Sequence, residues 1–286
     1  MSRLGMTLRV WRSHRAASIG LGIVLVLVLF AAIGPLVSSH DPYLSETVHG
    51  LDENKLPVGP NATFWLGTDR LFRDELARLA VGGRISLFIG VTATLLATVV
   101  GAVVGILAGW FEGRFIDGVL MRIVDIGLAF PFLLLVMAVG ASLDKTTPVT
   151  ILLTLGLTGW LGTARLVRAK TMQIRKLDFV TAAKALGQST PGILLRHVVP
   201  NVAGPLIVVS SVSVAQMILA ESVLSFLGGG IGPPTPTWGR MLFEGGDYIT
   251  ARPWMSIAPG AAILLSVLGF NMLGEGLRDA LDPRKQ

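Results

Sequence analysis

The chain has no cysteine. It therefore has no disulfide framework, no thiolate metal site and no cysteine nucleophile, and its redox compartment is left undetermined. Charge is scarce too: Asp, Glu, Lys and Arg are 15% of the 286 residues, against about 25% in a soluble domain. There is no nucleophile elbow, no HExxH pair and no glycine-rich phosphate loop with its lysine, and the 4 histidines are far apart. No internal repeat or low-complexity tract occurs. These gaps argue against a catalytic site, a bound cofactor or a metal centre in this chain.

What is present is apolar. Hydrophobic residues make up 52% of the chain and the mean hydropathy is +0.68, which places it in the membrane class. The net charge of +6 does not point to nucleic acid, because the basic residues bracket apolar runs as topology determinants do. The 34 glycines suit closely packed transmembrane helices. A span needs about 20 apolar residues. Uncharged stretches of that kind run between Arg15 and His40, Arg84 and Glu112, Asp125 and Asp144, and Lys145 and Arg165. Two more lie between His197 and Glu221, extending to Leu227, and between Arg252 and Glu275. The expectation is an all-α membrane protein with six spans.

Basic residues set the orientation. Arg3, Arg9, Arg12 and Arg15 precede the first span; Arg165, Arg168, Lys170, Arg175, Lys176, Lys184 and Arg196 lie between spans four and five; Arg278, Arg284 and Lys285 follow the last. With six spans all three groups fall on one side, which the positive-inside rule makes cytoplasmic. The acids Asp41, Glu46, Asp52, Glu53, Asp69, Asp74 and Glu75 fall on the other. The organisation expected is a cytoplasmic arm (1–15), an uncleaved anchor helix (16–38), an external segment (39–82) and a five-span core (83–286). The core includes a loop at 169–201 on the cytoplasmic side and an external loop at 228–253. In "LGTDRLFRDELARLAVGGRISL" (66–87), Thr68 can cap a helix. Leu71, Glu75, Leu76 and Leu79 make that helix amphipathic, Arg70–Asp74 and Asp74–Arg78 are i,i+4 pairs, and Gly82-Gly83 allows a bend. The pattern reads as a helix lying on the outer membrane surface.

Ionisable residues within spans default to functional candidates. Arg122 and Asp125, at i,i+3, read as a structural pair on one helix face. Glu221 has no basic residue within a turn and lies about 24 Å along its helix from Pro205. It either faces a pathway or partners a helix of another subunit. "LGGGIGPPTPTWG" (227–239) cannot be a continuous helix. It reads as an external connector with Trp238 at the interface, and a gating or docking role is the alternative.

Residues 178–200 are weakly hydrophobic between two strongly apolar spans. Phe179, Ala182, Ala183 and Leu186 share one face of a short helix. Gly187 can take the left-handed conformation that ends it. Thr190 can cap a second short helix with Pro191 at its first position, which Pro200 interrupts. Ala182 and Ala183 offer little area to lipid but suit close approach by another protein.

The pattern "DFVTAAKALG" followed by "RHVVPN" resembles the "EAA" cytoplasmic loop of ABC-importer permeases. "LGTDRLFRDELARLAVGGRISL", "DIGLAFPFLLL" (125–135), "LSFLGGGIGPPTPTWGRML" (224–242) and "LRDALDPR" (277–284) resemble the C-type subunit of dipeptide/oligopeptide permeases, over nearly the whole chain. Thr181 stands where that family usually has Glu, and Phe72 where Gly is usual. The resemblance implies the type I permease fold in a bacterial inner membrane and a second, related permease chain as partner. It also implies two ATPase subunits that bind ATP and Mg, and an extracytoplasmic substrate-binding protein. By the same resemblance 178–200, starting at Asp178, is the ATPase-coupling region: Ala182, Ala183 and Leu186 fill the ATPase groove, Gly187 sets the angle of the lever, and Arg196 with His197 meet acidic or backbone carbonyl groups there. The cargo implied is peptide; nickel or another small solute is the alternative within the family. A stand-alone secondary transporter is the remote one, since neither an internal repeat nor a charged midplane site is present.

Overall fold

A computed structural model describes residues 15–38, 40–142 and 146–281. Arg3, Arg9 and Arg12 of the N-terminal arm, together with Asp144, Lys145, Arg284 and Lys285, lie outside the described residues. The fold is helical, and the described residues contain two isolated β-bridges but no strand ladder. In chain order the helices are α1 (Arg15–Val37), α2 (Glu75–Trp110), α3 (Phe115–Leu128), α4 (Phe132–Ala141), α5 (Pro148–Thr158) and α6 (Leu161–Arg175). They continue with α7 (Asp178–Ala185), α8 (Thr190–Ile193), α9 (Val199–Phe226), α10 (Trp238–Gly246) and α11 (Trp254–Leu281). Among the described residues five helices are long and apolar enough to cross a membrane, and six if α3 and α4 count as one bent span.

α2 is the central helix. Its "GAVVGILAG" run places Gly101, Gly105 and Gly109 one turn apart against α6. A Cβ at Gly105 would lie 2.5 Å from the Ala164 carbonyl oxygen, and one at Gly109 2.6 Å from that of Arg168. Only glycine allows this backbone approach, which replaces the missing hydrophobic drive between helices in lipid. α1 packs along α11 and α2, with Leu27 and Ala31 in a core shared with Leu87, Ile218 and Trp238. The opposite faces of α1 and α2, including Val26, Leu29, Leu95 and Val103, are exposed, as lipid-facing residues must be.

Three sequence expectations are revised here. The third span is not one rod: α3 and α4 meet at 90°. Pro131 has no N–H to continue the helix and disfavours the α conformation at Phe130. The separate external helix is absent. Residues 75–82 are instead the first two turns of α2, and Gly82 and Gly83 pack against Thr237 and Trp238 without a bend. The cap is Asp74, whose carboxylate accepts from the Leu76 and Ala77 amides. Thr68 is buried and donates to the Gly50 carbonyl instead. Finally, the second short helix does not end at Pro200. α8 runs through a π turn (Leu194–Val198) into α9, giving a 37-residue helix from Thr190 to Phe226. The Val199 amide reaches back five residues to Leu194, a register slip that accommodates the missing amide of Pro200.

At the end of the bundle carrying the α2 N-terminus, residues 40–74 fold as turns. Asp69, Arg73, Arg78 and Glu244 form a buried ionic network there. Asp69 meets Arg73 at 2.6 Å and Arg78 at 3.1 Å, and Glu244 meets both arginines at 3.3 Å. Arg70 also turns to Glu244 (3.7 Å) and Asp74 to His40 (2.8 Å), replacing the helical pairs expected from spacing. Arg252 pairs with Asp52 and donates to the Pro57 carbonyl.

Candidate functional site

The opposite end of the bundle carries 176–197. α7 begins with Asp178 in its first turn and has Lys184 in its last, both favourable to the helix dipole. It ends as a Schellman motif. Gly187, at φ +78°, donates to the Lys184 carbonyl, and Gln188 donates to that of Ala183. Nothing lies within 4 Å of the position a Gly187 Cβ would take, so glycine is required by backbone conformation rather than by space.

The face expected to be continuous divides in two. Ala183 turns inward with Val180 into a core of Trp110, Val167, Ile193 and Val198. Phe179, Ala182 and Leu186 turn outward, Leu186 being 87% exposed. Thr181 is exposed as well, and so are Asp178, Leu195 and Arg196. Phe179, Ala182 and Leu186 therefore form an outward apolar stripe at positions i, i+3 and i+7.

Two braces hold α7, and neither has a sequence signature. The Lys184 ammonium lies 4.7 Å from the centre of the Trp110 ring at the end of α2, a cation–π contact. His197 contacts the Gln188 Oε1 through Nε2 at 3.1 Å and packs its ring 5.9 Å from that of Phe179. Because a Gln oxygen only accepts, that contact requires the proton on Nε2. His197 thus joins α7 to the π turn rather than standing free in the outward face. Behind α7, Arg168 forks onto Asp117 (2.7 and 2.8 Å), and Arg175 donates to the Trp110 carbonyl. The ends of α2, α3 and α6 are tied into one platform.

The remaining sequence candidates lie elsewhere. Arg122 and Asp125 do not pair with each other; Asp125 instead forms an ion pair with Arg165 of α6 at 2.5 Å. Glu221 is fully buried. Its carboxylate accepts from Ser86 (3.2 Å) and Ser225 (2.8 Å), and Ser86 in turn accepts the Trp238 amide. Trp238 is buried with its indole N–H on the Leu79 carbonyl. Both residues are polar joints tying α2, α9 and α10 together, so neither has the exposure of a pathway, gate or interface residue. Burial in a bundle without a basic partner was met by hydroxyl donors, which charge spacing does not reveal. Phe72 occupies φ +61°, a left-handed position that explains a preference for Gly there.

A family model described as "Binding-protein-dependent transport system inner membrane component" matches residues 101–286. A second, "N-terminal TM domain of oligopeptide transport permease C", matches residues 2–57. The chain is 38% identical over 274 residues to the oligopeptide transport system permease protein OppC of Bacillus subtilis (strain 168), covering 96% of this chain and 87% of that one. It is 40% identical over 285 residues to the dipeptide transport system permease protein DppC of the same strain, covering 98% and 87%. To the oligopeptide permease protein OppC of Escherichia coli (strain K12) it is 40% identical over 274 residues, covering 95% and 88%.

Proposed function

Since the chain belongs to the inner-membrane components of binding-protein-dependent transport systems, multi-pass permease subunits of ATP-binding-cassette importers, we propose that it forms half of an import pathway for di- or oligopeptides. The other half is a related permease chain. Two ATPase subunits, which bind the ATP and Mg, dock at the end carrying α7, and an extracytoplasmic binding protein delivers cargo to the opposite end. The chain catalyses no reaction of its own. The basic residues of 165–196 support a cytoplasmic position for α7, and the relatives' names support peptide as cargo.

The observation that carries this reading is the division of α7: an outward stripe of Phe179, Ala182 and Leu186 on a helix braced from behind by Lys184–Trp110 and His197–Gln188. Closure of the ATPase pair displaces α7 as a body. The unbroken helix from Thr190 to Phe226 carries that displacement into the bundle as a rigid lever. Gly187→Arg tests this. It forces a left-handed arginine into the end of the stripe, and ATP-dependent peptide uptake into vesicles should fall at least tenfold with the bundle still inserted. Unchanged uptake would remove α7 from the coupling path.

A further inference from the structure

Where α3 turns into α4, a cleft of about 500 Å³ opens against α6 and α9, within the size range of small-ligand sites. Two features of this cleft are incompatible with lipid. The first is the 90° break at Ala129–Pro131. Pro131 supplies no N–H, so the Gly127 carbonyl loses its helical i+4 donor and is met at a long 3.4 Å by the Phe130 amide. Irregular backbone at membrane depth is tolerated where protein or a water-filled cavity meets it, never hydrocarbon.

The second feature is Gln216. It lines the cleft and is exposed, and its side chain forms no hydrogen bond with any described residue. It lies ten residues before the end of α9 at Phe226, so about 15 Å down the helix, close to the middle of a hydrocarbon core about 30 Å thick. An unpaired carboxamide at that depth is costly in lipid. Ser213 and Thr158 flank it, but their hydroxyl protons are already given to the Val209 and Thr154 carbonyls. Gln216 is therefore the cleft's free side-chain donor, and it has a free acceptor as well.

We propose that Gln216 is a binding residue of the transport pathway and that its carboxamide pairs with main-chain amide groups of an extended peptide passing through the cleft. This rests on the peptide-import reading. A carboxamide carries the donor and acceptor of a peptide group in the same plane, so it recognises the peptide unit without reading the side chain. Phe130, Phe132 and Met217 line the rest of the cleft. They offer apolar contact that adapts to varied side chains, methionine most readily. The absence of charge suits a site that must release its cargo.

The test uses the assembled complex, with its ATPases and binding protein, in proteoliposomes. Because the chain has no cysteine, Gln216→Cys gives a single reactive site in this subunit, which is read after separating it from its partners. A charged, water-soluble methanethiosulfonate should modify it, and a transported peptide with ATP should slow that reaction. No modification would mean that lipid or a packed partner helix covers position 216, and the proposal would fall. In parallel, Gln216→Leu should lower uptake of an ordinary tripeptide about two- to tenfold, the scale of one hydrogen bond. It should also abolish discrimination against the backbone N-methylated tripeptide. Equal loss for both peptides contradicts amide recognition. If wild-type vesicles accumulate no peptide while Gln216→Cys still reacts, the cargo reading fails and the peptide occupant with it, but the aqueous cleft stands.

Discussion

Phe72 has the backbone of a glycine. At φ +61° its amide donates to Asp69 and its carbonyl accepts from Glu46, so the turn is fixed by partners on both sides. A left-handed non-glycine residue costs about 1 kcal/mol, and a β-branched one more. In detergent, Phe72→Gly should unfold within about 3 °C of wild type and Phe72→Ile should unfold clearly lower; the reverse order would mean that the side chain, not the backbone, decides this position. The sequence identified Phe72 only as a departure from a pattern, because φ is not written in composition. Glu221 shows the same limit. Its isolation from basic residues was legible, but its serine donors come from Ser86, far away in sequence, and from Ser225 on its own helix.

At the scale of elements, apolar run length was enough to locate α1, α2, α9 and α11, and the glycine content of the chain anticipated close helix packing without saying that α2 and α6 are the pair that uses it. Local chemistry also placed α7 and its left-handed stop at Gly187. The failures were at junctions. Pro131 splits a span that hydropathy reads as continuous. Pro200, read as a stop, is absorbed by a π turn whose five-residue hydrogen bond only the folded backbone reveals. The inward and outward sides of α7 were merged because Ala182 and Ala183 are chemically identical. Only Ala183 packs with Val180 and Ile193.

The whole molecule is held at one end by charge and at the other by a braced platform. Arg73 and Arg78 share Glu244 across more than 160 residues of sequence, which clamps the start of α2 to α10. Removing one partner of a buried pair costs about 3–5 kcal/mol, so Glu244→Ala should lower the thermal midpoint by many degrees. Glu112→Ala removes a half-exposed contact to Arg175 at 3.9 Å and should cost under about 1 kcal/mol. Equal shifts would remove the clamp from the account. The central claim concerns the other end, that α7 presents one face to an ATPase and the other to its own bundle. The absence of cysteine makes this directly measurable. In membranes holding the full complex, Ala182→Cys should crosslink to an amine of the ATPase subunit through a short thiol-to-amine reagent and lose uptake, while the buried Ala183→Cys should give no such product. Crosslinking of both positions alike, or of neither, would contradict it.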